Sequence, residues 1–414
     1  MAQLLIINAK LLDCGAGELR DGASLLAIDD KIVEIEEGGR TLRAPGDAVV
    51  IDANGRTLMP GLIDAHVHAA ITTVDLAAML RKQSSWIGIE AKFILEGMLK
   101  RGFTTVRDAG GLDTGIANAL ERGQIRGPRV FRSGRVLSQT GGHGDFDPVD
   151  HSPGICACCI KTSYFAHIAD GVDAVRRAAR EELKAGAHQI KVMAGGGVAS
   201  PSDPVDMVQY TEPEIRAAVE EAEARRTYAF AHAYIPEAIT RAVRAGVRSI
   251  EHGNLIDEAA AKVIAERGCF LVPTLVVYDQ IAQFGRSLRF PEASMKKLGD
   301  VSDAGLRSLE IARAAGVKMG YGTDLLGELH PAQSKEFEIR SQALPPVEII
   351  RSATTINAEL LGKVGLLGDL RVGAFADFLL VNGDPLKEID VLSAQGERLD
   401  LIVRGGEIIT NRIS

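Results

Sequence analysis

Apolar positions between residues about 60 and 355 fall into short strand-like runs, separated by longer stretches in which they recur at helical spacing. The runs are LIDAHVH (62–68), FTTVRDAG (103–110), RVFRSGRVLS (129–138), QIKVMAGG (189–196), YAFAHAY (228–234), SIEHGN (249–254), CFLVPTL (269–275) and KMGYGTD (318–324). Helix start and stop signals lie between them. Asp170 is the expected N-cap of a helix ending at Gly186, Thr211 and Glu214 have capping-box spacing, and Asp257 opens a helix that stops at Gly268. Eight strands alternating with helices predict an α/β fold, a (β/α)8 barrel over residues 58–357, whose active site forms at the C-terminal strand ends.

The ends of the chain read differently. QLLIINAKLL, ASLLAIDDKIVEI and AVVIDANGRTLMPG near the start alternate β-like runs with turns. GDLRVGAFADFLLVNGDP and LDLIVRGGEIIT repeat that texture near the other end. Residues 1–57 and 358–414 are therefore expected to build one small β-sandwich domain together. A chain of 414 residues is long enough for both units.

Polar residues collect where the barrel prediction puts a mouth. The first strand ends in His66 and His68, the fourth holds Lys191, the fifth His232, the sixth His252, and the eighth ends at Asp324. Two histidines two apart on a strand project from one face and can share a metal ion. Alone, His232 or His252 reads as a satisfied polar residue and Asp324 as a cap; their common position argues for a site. Lys191 poses a separate problem, because an ammonium among Ile190, Val192 and Met193 must be paired, neutralised or chemically altered.

Composition narrows the partners. Apolar residues make up 46% and charged residues 25%, and the net charge of −8 offers no footprint for nucleic acid. No apolar run is long enough to span a membrane and no export signal is evident, so a cytoplasmic protein acting on a small molecule, assembled as a homo-oligomer, is expected. Five cysteines are expected to be reduced. Cys156, Cys158 and Cys159 crowd into GICACCIKT, where Cys156 and Cys159 have the spacing of half a zinc or redox site but no second pair completes it.

Taken together, LMPGLIDAHVH (58–68), Lys191, His232, His252 and the GTD ending at Asp324 resemble the amidohydrolase superfamily. The resemblance implies a distorted barrel and a binuclear centre. One divalent ion would be held by His66, His68 and Asp324 and the other by His232 and His252, with zinc the expected metal. Lys191 would carry a CO2-derived carbamate bridging the two. A metal-bridging hydroxide would be the nucleophile, with Asp324 orienting it, taking its proton and passing that proton to the leaving amine.

Within the superfamily the chain is similar to the prolidase-like and Xaa-Arg dipeptidase-like group and to ochratoxin-hydrolysing amidases. That likeness points to amide cleavage in dipeptides or N-acyl amino acids. His143 in SQTGGHGDFDP and Tyr234 in HAY are expected to bind substrate and assist catalysis; His330 in GELHPAQ is a further substrate-binding candidate. Arg107 and Asp108 are expected to form a supporting pair. Competing readings are a cyclic-amide hydrolase or aminohydrolase, whose mononuclear members generally lack the strand-four lysine, and a silent scaffold homologue, which would typically have lost ligands.

Overall fold

The computed structural model of the chain describes residues 3–40, 42–79, 82–146, 165–200 and 203–413. The cysteine cluster at 156–159 lies outside the described residues. The chain opens with β1 (Gln3–Asp13), β2 (Glu18–Ile28), β3 (Lys31–Glu36), β4 (Val49–Asp52) and β5 (Thr57–Pro60). The central strands follow as β6 (Leu62–Val67), β7 (Phe103–Asp108), β8 (Arg129–Arg132), β9 (Val136–Ser138), β10 (Ala166–Ile168) and β11 (Ile190–Met193). They continue as β12 (Ala229–Ala233), β13 (Ser249–His252), β14 (Phe270–Val272) and β15 (Lys318–Met319). β16 (Phe378–Val381), β17 (Leu399–Arg404) and β18 (Glu407–Asn411) come last.

Both ends of the chain join in one eight-stranded sheet of order β18-β17-β16-β5-β1-β2-β3, with β4 parallel to β1. The seam is the antiparallel pairing of β16 with β5, Phe378 opposite Pro60 and Val381 opposite Thr57. Apolar side chains of both terminal segments, among them Leu4, Ile6, Leu25, Phe378 and Leu401, share one core there. The fold is thus mixed α/β with a separate sheet contributed by both ends.

The central strands are parallel and form two arcs, β6-β7-β8 and β10-β9-β11-β12-β13-β14-β15. Every residue of β6, β7, β11, β12 and β13 is buried, as expected for parallel strands covered on both faces. Hydrogen bonds from the Ala65 amide to the Tyr321 carbonyl, and from the Asp324 amide to the His66 carbonyl, tie β6 to the segment after β15.

Two local expectations differ from the structure. The run RVFRSGRVLS is not one strand: it breaks between β8 and β9 at Gly134, whose φ of 74° is left-handed and interrupts extended backbone. Asp170 is not the N-cap of its helix. That helix spans Val172–Lys184 behind Gly171, and the Asp170 carboxylate accepts from the Thr140 amide and hydroxyl instead. The other two helix starts form as read: Thr211 and Glu214 complete a capping box, and Asp257 accepts from the Ala260 amide. No helix among the described residues is long and apolar enough to cross a membrane.

Candidate active site

The C-terminal ends of the central strands converge on one cleft lined by His66, His68, Lys191, His232, His252 and Asp324, together with His143 and Tyr234. Strand alternation explains part of this. Parallel register sets Lys191 beside Phe230 and His232 beside Glu251, so their side chains share the inner face. Alternation would send His252 the opposite way from Glu251. A left-handed backbone at His252, φ 71°, turns it back toward the cleft, and Asp324 is turned by φ 56°. Non-glycine residues seldom adopt this conformation, and it concentrates at functional sites.

The imidazoles lie close together, with ring centroids 5.3 Å apart for His66 and His68, 4.9 Å for His66 and His252, and 4.6 Å for His232 and His252. Asp324 Oδ1 is 3.3 Å from His66 Nε2 and 3.2 Å from His68 Nε2, and Oδ2 is 3.8 Å from His252 Nδ1. Burial opposes ionisation of Asp324, but the surrounding imidazoles hold it well below the usual carboxylate range. Burial also drives His232 and His252 well below the ordinary imidazole value, so both are neutral.

One nitrogen of each strand histidine is committed to the protein. His66 Nδ1 meets Glu251 at 2.6 Å, His68 Nδ1 the Gly110 carbonyl at 2.9 Å, His252 Nδ1 the Thr274 hydroxyl at 2.8 Å, and His232 Nε2 the Gly196 carbonyl at 3.0 Å. Such outer contacts fix the ring orientation of metal-binding histidines. The Nε2 of His66 is buried with no hydrogen-bond partner among the described residues. Ligand atoms of His66, His252 and Asp324 lie within 4.8 Å of one another. An orphaned imidazole nitrogen beside a carboxylate suits a divalent cation.

Lys191 is buried and its side chain makes no hydrogen bond or ion pair among the described residues; its Nζ stands 5.1 Å from the Phe230 ring centre. Burial draws its ammonium down to about 8, against the upward pull of Glu251 and Asp324. A substantial fraction of neutral amine follows.

Arg107 and Asp108 do not pair. Neighbours on a strand face opposite ways. Arg107 donates to Glu251 at 2.8 Å and to the Ala65 carbonyl at 2.6 Å, while Asp108 accepts from the amides of Ala69, Gly110 and Leu112. Glu251 is the supporting acid the sequence reading passed over. Burial opposes its ionisation, yet Arg107 and His66 hold it well below the carboxylate range, and it in turn fixes His66.

His143 stacks on His232 with centroids 4.3 Å apart. Its Nδ1 lies 2.8 Å from Ser200 Oγ and 3.3 Å from Asp203 Oδ2, and its amide donates to Gln209 at 2.9 Å. Gln209 Nε2 also donates to Asp203, and Ser200 Oγ hydrogen-bonds to Asp203 Oδ1. Lys297, far along the chain, donates to the carbonyls of Gly197, Ser200 and Asp203 and so ties this loop down. Tyr234 Oη shares a 2.8 Å hydrogen bond with Tyr278 Oη, and Tyr278 also lines the cleft. His330 is not in the lining: it is buried, with Nε2 3.2 Å from the carbonyl of Ile71, a residue that does line the cleft. The rest of the wall, among the described residues, is apolar, including Phe146, Phe165, Met193, Val198 and Ile281.

Residues 57–408 match the model of the amidohydrolase family. Ochratoxinase of Aspergillus niger is 32% identical over 98% of this chain and 87% of its own length. An amidohydrolase crystal structure superposes with a TM-score of 0.96 at 48% identity, covering all of both chains. A prolidase crystallised with N-methylphosphonate-L-proline superposes with a TM-score of 0.95 at 47% identity, covering 99% of this chain and 100% of that one. The chain belongs to the amidohydrolase family and is a hydrolase acting on C–N bonds.

Proposed function

We propose that this enzyme hydrolyses the amide bond of dipeptides or N-acyl amino acids that end in proline or another neutral residue. The observation behind this reading is one cleft that, among the described residues, gathers six ligand-type side chains, three further hydrogen-bonding groups and an otherwise apolar wall. In its lining, Lys191 is the only lysine or arginine and Asp324 the only acid, among the described residues. Among the described residues of that lining, a charged substrate side chain would find no counter-charge free of the ligand set. Likeness to a prolidase and to ochratoxinase supports the same class.

In this reading a distorted (β/α)8 barrel over 58–357 holds the site and residues 1–57 and 358–414 form the accompanying domain; the ties from β6 to the segment after β15 support closure. His66, His68 and Asp324 would hold one divalent ion and His232 and His252 the other. Zinc suits these ligands first, though manganese or cobalt also would. The Lys191 amine, losing a proton to solvent, would add to CO2 through a new N–C bond, giving a carbamate between the two sites. Bound ions would supply positive charge that polarises the scissile carbonyl and lowers the pKa of water.

The chain's own groups do the remainder. Asp324 takes the proton of the attacking water and delivers it to the leaving amine nitrogen. His143, steadied by Asp203 and Ser200, and Tyr234, steadied by Tyr278, offer donors to the developing oxyanion and to the substrate carboxylate. His330 holds Ile71 in the wall. Exposed Trp86, Ile89 and Phe93, on one helix at spacings of three and four, support self-association, which light scattering would test; a monodisperse monomer would rule it out. Buried free Cys14 and Cys269 fit a reducing cytoplasm.

The decisive experiment compares kcat/KM for Xaa-Pro, Xaa-Leu and Xaa-Arg dipeptides, their C-terminal amides, cyclic imides and aminopurines. Free-acid dipeptides with neutral C-terminal residues should lead by tenfold or more. Equal rates on the amides would refute carboxylate recognition, and turnover confined to imides or aminopurines would overturn the reading.

A further inference from the structure

Parallel strands put the start of β8 at the end of the central sheet opposite the candidate ligands. There Arg129, from β8, and Arg404, from the end of β17, border a cleft of about 540 Å3 between the central strands and the terminal sheet. Lys363 and the rings of Phe131 and Phe375 complete the part of its wall that matters here. Glu121 is the one acid on the wall among the described residues, and it is exposed.

Charge in this cleft is unbalanced. Arg129 reaches Asp377 through Nη2 at 3.3 Å, yet its Nε is buried and unpartnered among the described residues. The Arg404 side chain makes no hydrogen bond or ion pair among the described residues, and its Nε is likewise buried and orphaned. Asp377 is already shared between Arg129 and the Gly405 amide, at 2.6 Å, and Glu407 faces Arg126 at 3.5 Å. Among the described residues, Lys363 Nζ meets only the Phe131 ring, 5.7 Å from its centre. Burial and the neighbouring Arg129 push the Arg404 guanidinium below its ordinary value, against the upward pull of Asp377 and Glu407. Adjacent desolvated cations destabilise a fold unless a counter-charge joins them. A protein of net charge −8 has no general excess of cations to scatter here.

We propose that this cleft is a binding site for a small multivalent oxyanion, a phosphate or a di- or tricarboxylate, held by Arg129 and Arg404 and separate from the hydrolytic site. Guanidinium forks present paired donors that match such oxygens. Because one arginine comes from the central strands and the other from the terminal sheet, the bound anion ties the two together. A ligand that binds only the folded state raises its stability.

The test titrates the metal-loaded enzyme with inorganic phosphate and with tricarballylate at constant ionic strength, following heat and melting temperature. Phosphate and carboxylate arms separate the two sources of the oxyanion. Saturable binding and a rise in melting temperature are expected with at least one of them. Arg404→Met should weaken it tenfold or more with hydrolytic kcat/KM within twofold of wild type, and should melt no lower than wild type without anion, since a half-buried guanidinium with an orphaned Nε is gone. If Arg404→Met does not fold, Lys363→Met should weaken binding about threefold to tenfold. Absence of saturation up to roughly 10 mM, or equal affinity in the variants, overturns the proposal. So does binding lost in His66→Ala and kept in Arg404→Met, because the anion would then sit at the hydrolytic site.

Discussion

At Asp324 a left-handed φ of 56° and three imidazole contacts coincide, so the residue combines a strained backbone with an ionised carboxylate. Asn tolerates that backbone region as well as Asp does but cannot take up a proton. Asp324→Asn should therefore fold, with stability within about 1–2 kcal/mol of wild type. Its kcat should fall on the order of a hundredfold or more, measured with metal content in parallel. A change of only a few fold would move the proton-transfer role elsewhere. The strand histidines, Lys191 and Asp324 were legible because their residue types are rare at apolar strand ends and their chemistry is specific. Tyr278 and Glu251 were not. A lone tyrosine on a helix and a glutamate beside a histidine carry no periodic signal, and only the three-dimensional contacts with Tyr234 and His66 reveal them.

The loop after β11 shows how an element can set a side chain it does not contain. Gly197 packs against His143 so closely that a Cβ there would lie 2.0 Å from the ring's Cε1. Lys297 fixes the same loop through three carbonyls. Gly197→Ala should displace His143 and lower kcat/KM by about tenfold to a hundredfold, and Lys297→Met by a smaller factor in the same direction. Melting temperatures should change little in Lys297→Met. Wild-type kcat/KM in both variants would separate this loop from catalysis. Helix boundaries with chemical caps, such as Thr211 with Glu214, were readable from local sequence. The break at Gly134 was not, since an isolated glycine in an apolar run signals a bulge, a close approach or an interruption alike.

At the scale of the molecule, one buried histidine links stability to acidity. Burial, with Arg101 and His68 nearby and Asp324 opposing them, pulls His330 down to about 3 from the ordinary 6.5. The folded state thus binds fewer protons there than the unfolded chain between those values. Stability must rise with pH across that window and fall as pH drops from about 6.5 toward 3. His330→Gln, which can still donate to the Ile71 carbonyl, should flatten this slope by about one proton, read from denaturant unfolding at several pH values. An unchanged slope would contradict a neutral His330. Alternation of strand and helix made the central architecture legible. The seam of the terminal sheet was less so, because pairing between Pro60 and Phe378 leaves no mark in either segment alone.

That seam also fixes an order of events in the cell. β5 leaves the ribosome roughly three hundred residues before β16 exists to cover its edge. At typical elongation rates of about 5–20 residues per second, the open edge persists for roughly 15–60 s on every nascent chain. An unpaired strand edge is a template for mispairing, so each polysome displays several at once, and the segment carrying β16 closes them.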